Sequence, residues 1–215
     1  MVPFDSASFC KSALRADAPI GEGTSCPVRG EVPLETLVAG SSVFDAASLE
    51  PILDFIKDAP RDVQASIYVF YCEAISNVIH HAYSDEHVIP KFWWTAGLEI
   101  NPATSRYVFT VSDEGRGLGR SLPFDSNRDG HKDAACWRAL LSCPGKSSRE
   151  ARGQGLASFT RLAKTLNGGR LTVESEGDRY TYSEDAGGKV SKAAAARKGV
   201  RVALDVASET LWRAA

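Results

Sequence analysis

The feature that most constrains this chain is a change of hydrophobic period midway along it. From Asp62 to Tyr83 the apolar residues Val63, Ile67, Phe70, Ala74 and Val78 recur at three- and four-residue steps, the period of a helix with one buried face. Beyond that point "KFWWTAGLEI" and "SRYVFTVSD" alternate with a period of two and flank "NPATS", a good turn sequence, which predicts a β-hairpin. The helical period returns in "LASFTRLAKTL", closed by Asn167-Gly168-Gly169, and gives way to strands at "RLTVES", "RYTY" and "VRVALDV". In the last of these, Val200, Val202, Leu204 and Val206 share one face. Upstream, "DAASLEPILDFIKDAP" predicts a short amphipathic helix with Asp45 or Ser48 as its N-cap and Pro60 as its stop. Helices interleaved with hairpin-connected strands predict an α+β fold: a two-layer sandwich with helices on one face of a mixed, mostly antiparallel sheet.

With 215 residues, 43% of them hydrophobic, the chain can form one sizeable core without metal or disulfide staples. We expect a domain over 43–210 preceded by a Gly- and Pro-rich segment, 1–42, whose role is open and whose apolar run near Val32–Val38 suggests an edge strand. Residues 118–152 are long, polar and charged, as lids often are. Twenty-five Lys and Arg against 27 Asp and Glu give a net charge of -2, so no overall basic field draws the chain to nucleic acid or anionic membrane. Five irregularly spaced cysteines with no C-x-x-C pair read as reduced thiols. No stretch approaches the roughly 18 apolar residues of a spanning helix, and a cytoplasmic protein is expected.

Three segments carry chemistry. On a helix wound at about 100° per residue, Ser66, Glu73, Asn77 and His80 form one polar stripe at the lip of the apolar face. The stripe is either a solvated helix edge or the wall of a pocket. Asp113, in "VSDEGRGLG", stands at a strand end, where a carboxylate can accept the exocyclic amine of adenine and would repel the carbonyl of guanine; Gly115 lets a ligand approach the backbone and Gly117 can hinge the segment after it. "RGQGLASF" opens a helix with Gly153 and Gly155, so exposed N–H groups and the positive helix end could hold phosphates. Each glycine pair alone is equally explained by a turn or a helix entry; their order is the specific signal.

In that order the sequence resembles the GHKL, or Bergerat-fold, ATPase and kinase superfamily. Glu73-x-x-x-Asn77 matches its N box, Asp113-x-Gly115-x-Gly117 its first glycine box and Gly153-x-Gly155-Leu156 its second. The resemblance implies ATP and Mg2+ as ligands. Asn77 would hold the metal, Asp113 would read adenine, residues 118–152 would be the ATP lid, and Glu73 would be the general base for water or a hydroxyl acceptor. "EAISNVIHHAY" and "DEG" are most similar to anti-sigma-factor serine kinases, and His81, four residues after Asn77, falls where those kinases tend to carry a histidine. Arg152, beside the second glycine box, is the expected phosphate contact. "NGGRLTVESE" is equally similar to histidine-kinase domains. Two departures stand out: the last strand opens Gly199-Val200 where the family usually has Gly-Thr, and the lid is long. The implied activity is a protein serine/threonine kinase or an ATPase, with a protein regulator or phosphorylation substrate as partner. The alternative is an ATP-gated binding or homodimerisation module with little phosphoryl transfer.

Other motifs carry less. "PGKSS" at 144–148 ends like a P-loop but has Leu140 where the first glycine is required. "GRGLG" lacks the following helix and third glycine of a dinucleotide site. His80 and His81 are adjacent and so diverge on a helix, which argues against a metal pair. Trp93 and Trp94 must face opposite sides of their strand.

Overall fold

Pro60, expected as the stop of the first helix, instead caps the start of the second, the first helix having already ended at Phe55. The computed structural model describes residues 35–83, 91–101, 104–118 and 155–212, all within one unit, Leu34–Ala215. Asp45 Oδ1 accepts the Ala47 N–H at 3.0 Å and caps a 3₁₀ turn, Ala46–Leu49, which runs into helix α1, Glu50–Phe55. Helix α2, Arg61–Asn77, follows Pro60 directly. Its buried residues Val63, Ile67, Phe70, Tyr71, Ala74 and Ile75 lie on one face. The Tyr71 hydroxyl, fully buried, donates to the Gly97 carbonyl at 2.7 Å and fixes the helix against the sheet.

The expected helix over 62–83 is not uniform. After Asn77 the backbone widens into a π turn, Val78–Ala82. The i→i+5 bonding of a π turn changes the angle per residue, so the 100° step holds through Asn77 and fails beyond it. Ser66, Glu73 and Asn77, all half-buried, keep their common register; His80 does not join them.

The strands are β1, Glu35–Gly40; β2, Trp94–Asn101; β3, Arg106–Ser112; β4, Arg170–Ser175; β5, Asp178–Ser183; β6, Gly187–Lys192; and β7, Val200–Ala207. They form one seven-stranded sheet in the order β1-β2-β3-β7-β4-β5-β6. Every pair is antiparallel, so the expected mixed sheet is antiparallel throughout its described strands. β1 is an edge strand and lies inside the 1–42 segment. β6 forms the other edge, although "SEDAGGKVSKAAAARKG" reads from its composition as a loop: Val190 is the strand's single large apolar residue, and an edge strand paired on one side needs little more.

Register builds the core. Leu98, Phe109, Leu204, Leu171 and Tyr182 sit opposite one another in a row across five strands, and Ala96, Val111, Val202, Val173 and Tyr180 make the adjacent row. Antiparallel partners share a face, so both rows point at the helices. α2 and helix α3, Gly155–Thr165, cover them, with Phe70 and Phe159 edge to face at 5.6 Å. Trp94 is buried in this core, with Gly40 leaving room for its ring; Trp93, the residue before β2, is half-buried against the same core and packs on Tyr83 at 5.1 Å. The chain closes with a short helix α4, Ser208–Leu211, and an aromatic cluster of Phe55, Tyr107 and Trp212. The uncovered sheet face carries an ion-pair chain in which Arg201 meets Glu99 at 3.2 Å and Glu174 at 3.9 Å, and Arg179 meets Glu174 at 2.6 Å. Among the described residues no helix is long and apolar enough to cross a membrane.

Candidate functional site

Asp113 is the first residue after β3. Its N–H donates to the Val200 carbonyl at 2.9 Å, which extends the β3–β7 ladder by one bond and carries the carboxylate past the sheet edge into a setting where the residue is 6% exposed. One carboxylate oxygen, Oδ1, accepts the Gly115 N–H at 2.8 Å, a local turn that holds the side chain in one orientation. Burial pushes the carboxyl up to about 6. The backbone hydrogen bonds at Gly115 and Val200 and the charge of Arg197 pull the other way, and Glu114 adds to the rise.

The glycines of this loop answer to contacts that a side chain would break. At Gly115 a Cβ would lie 2.6 Å from the Ala82 Cβ and closer still to the Ala82 carbonyl oxygen. Gly117 has φ +81 and would meet Glu176 Cγ at 2.9 Å. Gly199, opposite them on the approach to β7, has φ +77 and would place a Cβ 2.7 Å from Asp113 Oδ1. Loop and carboxylate are therefore packed between the end of the π turn on one side and the start of β7 on the other.

Hydrogen bonds fix that arrangement. The Arg116 N–H donates to the Ala82 carbonyl and its Nε–H to the His81 carbonyl, both at 2.9 Å, so the open end of the π turn is satisfied by the Asp113 loop. The Tyr83 hydroxyl donates to the Trp93 carbonyl at 3.0 Å and accepts the Glu114 N–H at 3.1 Å. On the far side the fully buried Ser175 hydroxyl donates to the Gly199 carbonyl and accepts the Leu118 N–H, each at 3.0 Å. One residue thus ties the start of the 118–152 segment to the strand beneath Asp113.

The sequence-predicted residues fall into three groups. Asp113, Gly115, Gly117 and the His81 main chain are brought together. Glu73 and Asn77 stand one turn apart, about 6 Å along the axis, on the last turns of α2 that lead into the π turn. Gly155 opens α3 as expected, with Leu156 next in the helix backbone; the Leu156 side chain, Arg152, Gly153 and the 118–152 lid beyond Leu118 lie outside the described residues. Sequence reasoning missed Tyr83, Ser175 and Arg197. Ser175 had a readable signal, since it takes the core-facing position after Leu171 and Val173, where a polar residue needs a buried partner.

Chemically, the loop offers an oriented acceptor in a low-dielectric setting, and α2 offers a carboxylate and a carboxamide on one stripe. Mg2+ needs only one or two protein oxygens when phosphates and water supply the rest, so a lone Asn77 carboxamide suits it. Among the described residues no group of three His, Cys, Asp or Glu is placed to hold a metal by itself.

No protein-family model matches the chain. No curated protein matches it. Among solved structures it is similar to the histidine kinase domain from the Erythrobacter litoralis EL346 blue-light activated histidine kinase, with 16% identity and a TM-score of 0.40 over 86% of this chain and 74% of that one.

Proposed function

We propose that this chain binds Mg·ATP as a GHKL-type domain and acts as a protein serine/threonine kinase of the anti-sigma-factor type or as an ATPase. The observation that carries the reading is the buried, oriented Asp113 carboxylate in a loop whose two glycines have no room for a side chain. With Oδ1 engaged by Gly115, the carboxylate's other lone pairs accept a base amine, and its negative charge rejects a carbonyl at the same place. Asn77 supplies the carboxamide oxygen for the metal. Glu73, one turn earlier, takes the proton from the attacking hydroxyl. His81, Arg152, Gly153, Gly155 and Leu156 bind phosphate and its surroundings, the N–H groups at the start of α3 facing negative charge. The nucleotide supplies the transferable phosphoryl group, and a protein regulator or phosphorylation substrate is the partner this reading calls for.

The test follows the γ-phosphate. Protein incubated with γ-labelled Mg·ATP and native cell extract should place label on a protein band or release phosphate. Glu73→Gln should lower either rate by about 10²–10⁴-fold while retaining ATP binding, the usual range for loss of a general base. Unchanged turnover in that variant removes Glu73 from the chemistry; an absence of both label and free phosphate with ATP bound leaves binding as the function.

A further inference from the structure

Ser175 takes a position where its strand otherwise buries apolar side chains. It ends β4 on the face that Leu171 and Val173 turn toward the helices, and it is itself fully buried. A hydroxyl there is costly unless it is hydrogen-bonded. Its Oγ donates to the Gly199 carbonyl and accepts the Leu118 N–H, each at 3.0 Å. A carbonyl can only accept and an N–H only donate, so the single hydroxyl proton has one arrangement.

The bridge closes a ring of backbone. At one end of the loop 113–118 the Asp113 N–H donates to the Val200 carbonyl at 2.9 Å; at the other the Leu118 N–H reaches Gly199 through Ser175. Both ends are thereby pinned to one dipeptide, Gly199-Val200. That dipeptide lies against the acid: a Cβ on Gly199 would stand 2.7 Å from Asp113 Oδ1 and 2.1 Å from the Asp113 carbonyl oxygen. Gly117 packs on the bridge itself, where a Cβ would stand 3.1 Å from Ser175 Oγ. A shift at the hydroxyl is therefore passed to the acid, since closely packed interiors transmit strain. The other bonds from the loop run from Glu114 to Tyr83 and from Arg116 to Ala82.

We propose that Ser175 is a positioning residue for base recognition: its hydroxyl clasps the loop 113–118 onto Gly199-Val200 and so sets where the Asp113 carboxylate stands toward the base. This deepens the proposed function and rests on it for the role of Asp113, though not for the clasp itself.

The experiment measures Mg·ATP and Mg·GTP affinity side by side at about pH 8, above the Asp113 midpoint of about 6, for wild type, Ser175→Ala, Ser175→Thr and Val173→Ala. The ratio of the two affinities is the readout, because partial unfolding lowers both alike and cancels in it. Ser175→Ala should lower the ATP preference by about fivefold, the size of one lost hydrogen bond, and Ser175→Thr should restore part of it. Val173→Ala, a core truncation two residues earlier on the same strand, should destabilise the protein and leave the ratio at its wild-type value. Amide NMR on the same samples follows the Leu118 N–H, bonded to the hydroxyl, and the Gly115 N–H, bonded to the acid; both resonances should move in Ser175→Ala. If Ser175→Ala does not fold, Ser175→Cys replaces the hydroxyl by a much weaker hydrogen-bonding thiol and carries the same expectation. A wild-type ratio in the folded variant overturns the proposal, as does a ratio that falls equally in Val173→Ala. If wild type binds neither nucleotide, the nucleotide reading falls and the amides decide the clasp: Gly115 shifted together with Leu118 upholds it, and Gly115 unmoved overturns it.

Discussion

Two buried places in this molecule are held together by opposite means. In the rows Leu98–Phe109–Leu204–Leu171 and Ala96–Val111–Val202–Val173, apolar side chains meet across the sheet and under α2, and burial itself is favourable. At Asp113, the first residue beyond the strand that carries Phe109, an acid is buried at a cost that backbone hydrogen bonds and the charge of Arg197 reduce. The first place is what folding favours. The second works against folding and is therefore where function is to be sought.

The largest effect that would sharpen the contrast is at Phe109, fully buried and packed on Tyr71 with 6.3 Å between ring centroids. Phe109→Ala should cost about 3–5 kcal/mol in chemical denaturation, with no change in any pH dependence. Asp113→Asn should do the reverse. The folded protein raises this carboxyl from 3.8 to about 6, so the neutral form is the one the fold prefers. Its favourable contribution is complete below pH 3.8 and is lost as pH rises through about 6. The variant should therefore match wild type near the lower of these values and be more stable above the higher, by roughly 2–3 kcal/mol at most. Wild type and variant melting together at about pH 8, well above both midpoints, would break the comparison. The smallest effect is at Ser175, whose removal leaves the Gly199 carbonyl and Leu118 N–H without their shared hydroxyl. Ser175→Ala should lower stability by about 1–2 kcal/mol, and Ser175→Thr, which keeps the hydroxyl, should recover part of that. An alanine variant as stable as wild type would show that the bridge is dispensable.

How far the sequence discloses this molecule depends on whether a feature is periodic. α2, α3, β2, β3, β4 and β7 declare themselves because one face is buried and the apolar residues keep time with the backbone. β6 has one such residue, Val190, and its pairing with β5 is a matter of backbone hydrogen bonds that composition does not record. The π turn is invisible for the related reason that it is a change of winding within a run of good helix formers, and it is what sets His80 apart from the Glu73–Asn77 stripe. At the site, Asp113, Gly115 and Gly117 are legible from their order. The reasons for the glycines are not, because the atoms they avoid belong to Ala82 and Glu176, far away in sequence. Arg197 sits in "AAAARKG", a stretch with no pattern, and only the fold brings it to the acid it offsets.

The most direct test of the central claim is calorimetric titration of Mg·ATP into wild type and Asp113→Asn at about pH 8, where the wild-type carboxyl is ionised, with thermal melting recorded on the same samples. Wild type should bind, and the variant should melt higher yet bind at least about tenfold more weakly, the loss of one charge-assisted hydrogen bond. A variant that melts higher and binds Mg·ATP as tightly as wild type would contradict it, leaving Asp113 a buried acid with no part in reading the base.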